Sequence, residues 1–197
     1  MNSVSILRVG LWALVALLVG AVVALVFLYG QGGRNTAEGP FGTPFALVDQ
    51  NGAAITEADL TGKPSAVFFG FTHCPEVCPT TLYELAGYQR QLKQEGKDLR
   101  VVFVTVDPER DTPEILKDYV EAIGADITAI TGAPDKIAAM LRGWGVYSAK
   151  VGEGPDYSMD HTATTFLLDA DGALAGTLAY GEKSDTARAK LDRLVGL

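Results

Sequence analysis

Residues 9–29 run for 21 positions without a charged side chain, and most of them are Leu, Val or Ala. This run divides the 197 residues into two kinds of material. About 20 apolar residues at a rise of 1.5 Å each cross a hydrocarbon core, so the run predicts one transmembrane helix. The alternative is a cleaved export signal, whose apolar region is about 7–15 residues long. Here the run is longer, and no small-x-small cleavage site appears before Gln31-Gly32-Gly33. The expected plan is a short cytoplasmic N-terminus (1–8), an uncleaved membrane anchor (9–29), a Gly-rich polar tether (30–40) and one domain (41–197). Arg8 and the amino terminus precede the run, whereas Arg34 and Glu38 follow it. The positive-inside rule then puts the domain on the exported side.

The domain is long enough to bury its own core, and neither an internal repeat nor a low-complexity segment interrupts it. A formal net charge of −8 argues against nucleic acid and against docking on anionic lipid, and suits a partner with a basic face.

Residues 45–48 lead into Asp49-Gln50-Asn51-Gly52, a turn signal that predicts an opening hairpin. "SAVFFGF" (65–71) and "LRVVFVTV" (99–106) are short, apolar and rich in aromatic or β-branched residues, as strands buried on both faces are. Between them Leu82, Leu85, Ala86, Gln89 and Leu92 recur at helical spacing, with Gly96 as the stop. Helices are also predicted over 112–122, capped by Asp111 and Glu114, over 137–144, and over 187–194. Residues 146–160 read as loop, and 164–169 with 173–178 as a hairpin turning at Ala170-Asp171-Gly172. The order is βαβ followed by ββα: an α/β fold with a thioredoxin-like mixed sheet flanked by helices.

The two cysteines of the chain stand in "GFTHCPEVCPTT", each followed by proline. Pro79 is tolerated in a first helical turn and not deeper, so the helix starts near Cys78 and leaves Cys74 in the loop after the strand. At a helix N-terminus, free N–H groups and the dipole favour a thiolate at Cys78. The spacing allows a disulfide and equally lets two thiolates hold one soft metal ion. It is one residue longer than the C-x-x-C redox motif. A static disulfide closing so small a loop would constrain the unfolded chain little. His73 adjoins Cys74; the other histidine, His161, precedes a strand whose leading loop faces the cysteine loop in a thioredoxin-like fold. Two thiolates and one imidazole suit Cu(I) and can hold Cu(II) in a tetragonal site. Zinc accepts the same donors, but a closed structural site uses a fourth, which is not evident.

The blocks "FFGFTHCPEVCPTTL", "FVTVDPERDTPEIL" and "MDHTATTFLLDADG" together resemble the Sco/SenC family of copper proteins across the whole expected domain. The resemblance implies a thioredoxin-like domain on a single membrane anchor that assists assembly of the copper A centre of cytochrome c oxidase. It implies Cys74, Cys78 and His161 as ligands for Cu(I) and Cu(II), and oxidase subunit II as the partner. An upstream copper donor and a thiol reductant would complete the system. A bacterial inner-membrane protein with its C-terminal domain in the periplasm is the implied setting. The family is linked both to copper donation and to reduction of the partner's thiols, so a thiol-disulfide oxidoreductase cycling Cys74 and Cys78 is the alternative.

Asp107 and Asp111 of "DPERD" have two readings: turn and cap chemistry, or contact with the partner, the role that the resemblance attaches to this acidic segment. Met159 is a soft sulfur near His161 whose ordinary role is packing. Asp169-Ala170-Asp171-Gly172 lacks the further acids of a calcium loop. The peroxiredoxin pattern Pro-x-x-x-Thr-x-x-Cys is absent before Cys74.

Overall fold

The computed structural model of the protein describes residues 12–22, 24 and 40–196. Residues 12–22 and 24 are helical; the rest of the expected 9–29 span, residues 1–8 and most of the tether lie outside the described residues. Among the described residues no helix is long and apolar enough to cross a membrane. Gly39–Leu197 forms a compact unit of its own.

Inside the main sheet of that unit lies β3 (Ser65–Gly70), every residue of which is buried. It pairs in parallel with β4 (Arg100–Thr105), which pairs in parallel with β5 (Ile127–Thr131). The hairpin of β1 (Ala46–Asp49) and β2 (Ala54–Thr56) extends the sheet antiparallel beyond β5. On the other side β8 (Thr165–Leu168) and β9 (Leu174–Leu178) extend it antiparallel beyond β3. The order is β2-β1-β5-β4-β3-β8-β9, the mixed sheet expected of a thioredoxin-like fold. Phe68, Phe69 and Phe103 are fully buried at its middle, and burial of such a side chain contributes about 1.5–3 kcal/mol.

Two parts of the sheet system depart from the sequence reading. The strand β5 is not predicted: "ITAIT" is five residues long, too short for periodicity to mark. The stretch 146–160, read as loop, contains a separate two-stranded sheet of β6 (Ser148–Val151) and β7 (Ser158–His161). Both strands are half-exposed or exposed throughout, so no apolar alternation betrays them.

The helices are α1 (Val77–Gln94), α2 (Pro113–Ile123), α3 (Pro134–Gly143) and α4 (Ser184–Val195). Buried Leu82, Leu85, Ala86, Gln89 and Leu92 form the predicted stripe of α1. The Gln89 amide satisfies its burial by donating to the carbonyls of Leu99 and Asp126 at 3.0 and 2.9 Å. Gly96, at φ +74°, ends the helix in the left-handed region that glycine enters at no steric cost. The cap of α2 differs from expectation. Thr112, not Asp111, accepts the Ile115 amide, because the Asp111 carboxylate is turned inward.

The sheet register brings three distant stretches together. Gly70 lies opposite Thr105 across the parallel β3–β4 pair, so the loops after both strands leave one edge. Because β8 runs antiparallel to β3, with Thr165 opposite Phe68, the residues before β8 arrive at that same edge. Open α/β sheets place ligand sites at this end of their parallel strands.

Candidate metal centre

Cys74 lies in the loop leaving β3, half-buried, and Cys78 lies in the first turn of α1, fully buried. Both are free thiols. The Cys78 amide donates to the Cys74 sulfur at 3.3 Å, so this sulfur stands where a capping oxygen would normally satisfy the first helical turn. The expectation of a favoured thiolate at Cys78 is therefore corrected. Burial, above all, pushes the Cys78 thiol well above the usual thiol range, opposed by the Phe71 backbone and reinforced by Cys74. The amide at the start of the helix is spent on a hydrogen bond to the Cys74 sulfur.

His161 ends β7, opposite Ser148 of β6. Its ring meets Phe68 and Phe71 edge-on, with centroids 6.1 and 5.8 Å away. Nδ1 stands 3.0 Å from the Thr162 carbonyl, which can only accept; Nδ1 therefore carries the proton and Nε2 keeps a lone pair. Nε2 faces the Cys78 sulfur at 3.5 Å. Burial lowers the pKa of His161 against the pulls of the Thr162 carbonyl and the Asp160 charge, which keeps the ring neutral at neutral pH. A neutral imidazole oriented through its second nitrogen has the form that metal-binding histidines take.

The spacing can be tested against coordination chemistry. Bonds of about 2.3 Å to sulfur and 2.0–2.1 Å to nitrogen, at tetrahedral to trigonal angles, put two donors roughly 3.5–3.8 Å apart. Cys78 and His161 stand at the near end of that range. Cys74, turned to the helix amide, does not complete the set as placed. Among the described residues no three His, Cys, Asp or Glu side chains stand ready to hold a metal ion together.

The remaining candidates separate clearly. His73 is exposed, and its Nδ1 engages the Thr72 hydroxyl at 3.0 Å. Met159 packs against the core. Asp169 accepts from the amides of Asp171 and Ala173, the expected hairpin turn. Asp107 and Asp111 are both buried, so neither carboxylate is on the surface. Asp107 pairs with Arg110 and accepts from the Tyr157 hydroxyl at 2.6 Å. Asp111 accepts from the hydroxyls of Thr72 and Thr105, each at 2.6 Å, and from the Thr72 amide at 3.1 Å. Burial raises the pKa of Asp111, and these three bonds oppose it.

The sequence reading misses three contributors. At Gly70 a Cβ would meet the Cys78 sulfur and the Phe103 ring, each at 2.8 Å, so only a residue without a side chain lets the thiol sit there. A glycine closing an otherwise apolar strand is the available signal for this. Tyr157 and Thr72 carry no sequence signal, because each acts through a partner far away in the chain.

The SCO1/SenC family model matches residues 33–196. An SCO2-like protein of Rickettsia prowazekii is 39% identical over 134 residues, 66% of this chain and 65% of that protein. The match thus spans just under two thirds of that relative's length. Among solved structures, copper-bound ScoI of Bradyrhizobium japonicum aligns with a TM-score of 0.71 at 40% identity, covering 78% of this chain and 99% of that one. Copper-bound yeast Sco1 aligns at 0.73 with 33% identity, covering 80% and 89%.

Proposed function

The chain belongs to the SCO1/SenC family, and from that premise we propose that it carries copper to cytochrome c oxidase, binding the ion through Cys74, Cys78 and His161. One observation carries the ligand assignment: the bare Nε2 of His161 faces the buried Cys78 sulfur at bonding geometry for a shared ion. Relatives solved with copper support the choice of ion. Cys74 joins by turning its sulfur from the Cys78 amide, a single weak hydrogen bond to a thiol acceptor. Delivery to the copper A centre of subunit II then proceeds by ligand exchange. The recipient's thiolates take the ion one bond at a time while the donor's release it. The acidic surface suits a basic face on the recipient. With Asp107 and Asp111 turned inward, the exposed acid of the same turn is Glu109, whose surface ion pair with Lys150 at 3.1 Å a basic group of the recipient would have to displace.

The two free thiols favour a second reading. In it Cys74 attacks a disulfide of the partner, Cys78 resolves the mixed disulfide, and the partner leaves as a dithiol while this chain becomes the disulfide. His161→Ala separates the readings. The imidazole matters more to Cu(II) than to Cu(I), which two thiolates can hold alone. The variant should keep its dithiol equilibrium and lose Cu(II) affinity and the thiolate-to-copper absorption. It should also fail to load oxidase copper A in cells. Normal oxidase copper beside an absent Cu(II) band would favour the reductase.

Residues 9–29 are proposed to anchor the domain in the bacterial inner membrane with residues 41–197 in the periplasm. The domain should remain with membranes washed at high pH and be digested by protease added to spheroplasts. Release by the wash, or protection from the protease, would refute the anchor.

A further inference from the structure

The turn after β4 touches both carriers of the proposed ligands. Its first acid, Asp107, accepts the Tyr157 hydroxyl at 2.6 Å, and Arg110 donates to the Tyr157 carbonyl at 2.9 Å. The Arg110 guanidinium lies 3.6 Å and the Lys150 ammonium 3.7 Å from the centre of the Tyr157 ring. Tyr157 and Lys150 belong to the β6–β7 hairpin that ends in His161. Its last acid, Asp111, binds the amide and hydroxyl of Thr72, two residues before Cys74. The two acids are not independent. The Thr105 hydroxyl accepts from the Asp107 amide at 2.9 Å and donates to Asp111 at 2.6 Å, and the Asp111 amide donates to the Asp107 carbonyl at 3.0 Å. Thr131 of β5 ties the Asp111 carbonyl to the sheet at 2.8 Å.

From this we infer that the "DPERD" turn is a rigid bracket setting the gap between dithiol and imidazole: Asp111 positions the cysteine loop, and Asp107 with Arg110, through Tyr157, positions the histidine hairpin. The inference deepens the ligand reading above and rests on it. Both acids are buried and hydrogen-bonded on more than one side, so each fixes its partner in one arrangement. The hairpin forms a sheet separate from the main one, so its place depends on such ties. Asp107, Asp111, Arg110, Thr72 and Tyr157 are positioning residues, and their loss should act on geometry at the sulfur and the ring.

The two arms of the bracket predict a split. Tyr157→Phe keeps the ring and deletes only the hydroxyl. In the full chain held in mild detergent, it should weaken Cu(II) binding by up to about 10-fold, the low end of what loss of a ligand's own hydrogen-bond partner costs, because the hydroxyl bonds Asp107 and reaches His161 only through the hairpin. It should also speed amide exchange across Ser158–His161 in the copper-free protein while leaving the dithiol–disulfide equilibrium with glutathione unchanged. Asp111→Asn should shift that equilibrium as well as the Cu(II) signal. If Asp111→Asn fails to fold, Thr72→Val removes the same tie from the loop side and should give the same pair of shifts. Parent-like exchange and parent-like Cu(II) binding in Tyr157→Phe would overturn the bracket, as would a dithiol shift in it equal to that of Asp111→Asn. His161→Ala is run alongside. A Cu(II) signal that survives it refutes the ligand assignment instead, and the bracket is then decided by the exchange and dithiol measurements alone.

Discussion

Cys78→Ser and Cys74→Ser will each strip the protein of tight Cu(I) binding, a larger loss than the roughly 10–100-fold expected from any outer-shell change. One thiolate and one imidazole do not make a soft site that competes with a strong chelator. The structure separates the two variants by their cost to the fold. Cys78 is fully buried, and a serine hydroxyl there costs up to about 1–3 kcal/mol, offset in part where it donates to the bare Nε2 of His161. Cys74 is half-buried in a loop, and its replacement should leave the unfolding midpoint near that of the parent. The proteins are loaded with Cu(I), dialysed against chelator and assayed for bound metal, with denaturant unfolding run in parallel. A single variant that holds one copper per chain through the dialysis would show that the ligands are others.

Gly70→Ala should damage both stability and the centre, although Gly70 has no side chain to offer a metal. The added methyl would stand 2.8 Å from the Cys78 sulfur and from the Phe103 ring, closer than packed atoms approach. Neither neighbour has an easy retreat. Phe103 is fully buried in β4, and the Cys78 sulfur is hemmed in at the start of α1. Overpacking of this kind costs about 1–3 kcal/mol. Relief by moving the sulfur would alter its separation from His161, so the Cu(II) absorption should weaken or shift. The double variant Gly70→Ala, Cys78→Ser should be less destabilised than the sum of its parts, because residues in contact are not additive. Unchanged unfolding together with an unchanged Cu(II) spectrum would mean that the strand end is looser than its packing implies.

Some of this molecule could be read directly from the chain. The double-faced strands β3 and β4 declare themselves by composition, and α1 by the spacing of its apolar residues, because both signals are local. Cys74 and Cys78 could be placed around a helix start because Pro79 permits few alternatives. Nearness of His161 followed only once a fold was assumed, since the residues between 78 and 161 contain no record of which strand lies beside which. The hairpin β6–β7 was invisible for a related reason. Its strands bury no continuous apolar face, and what ties the hairpin down includes Arg110 and Asp107, some 50 residues earlier.

What the sequence determined by itself is the chemistry on offer: two thiols a turn apart, one distant imidazole, an acidic turn and a long uncharged run. These follow from residue identity and short-range spacing. Tertiary structure alone decided how those groups are used. Helix position favours an ionised Cys78, yet burial of the sulfur outweighs the dipole and the Phe71 backbone hydrogen bond, and the helix amide goes to Cys74. Asp111 could have capped α2, yet two threonines from other strands and loops claim its carboxylate. In each case a local preference worth about 1 kcal/mol was overruled by desolvation or by a buried hydrogen-bond network, whose terms are as large or larger. Those terms exist only when distant parts of the chain exclude water together.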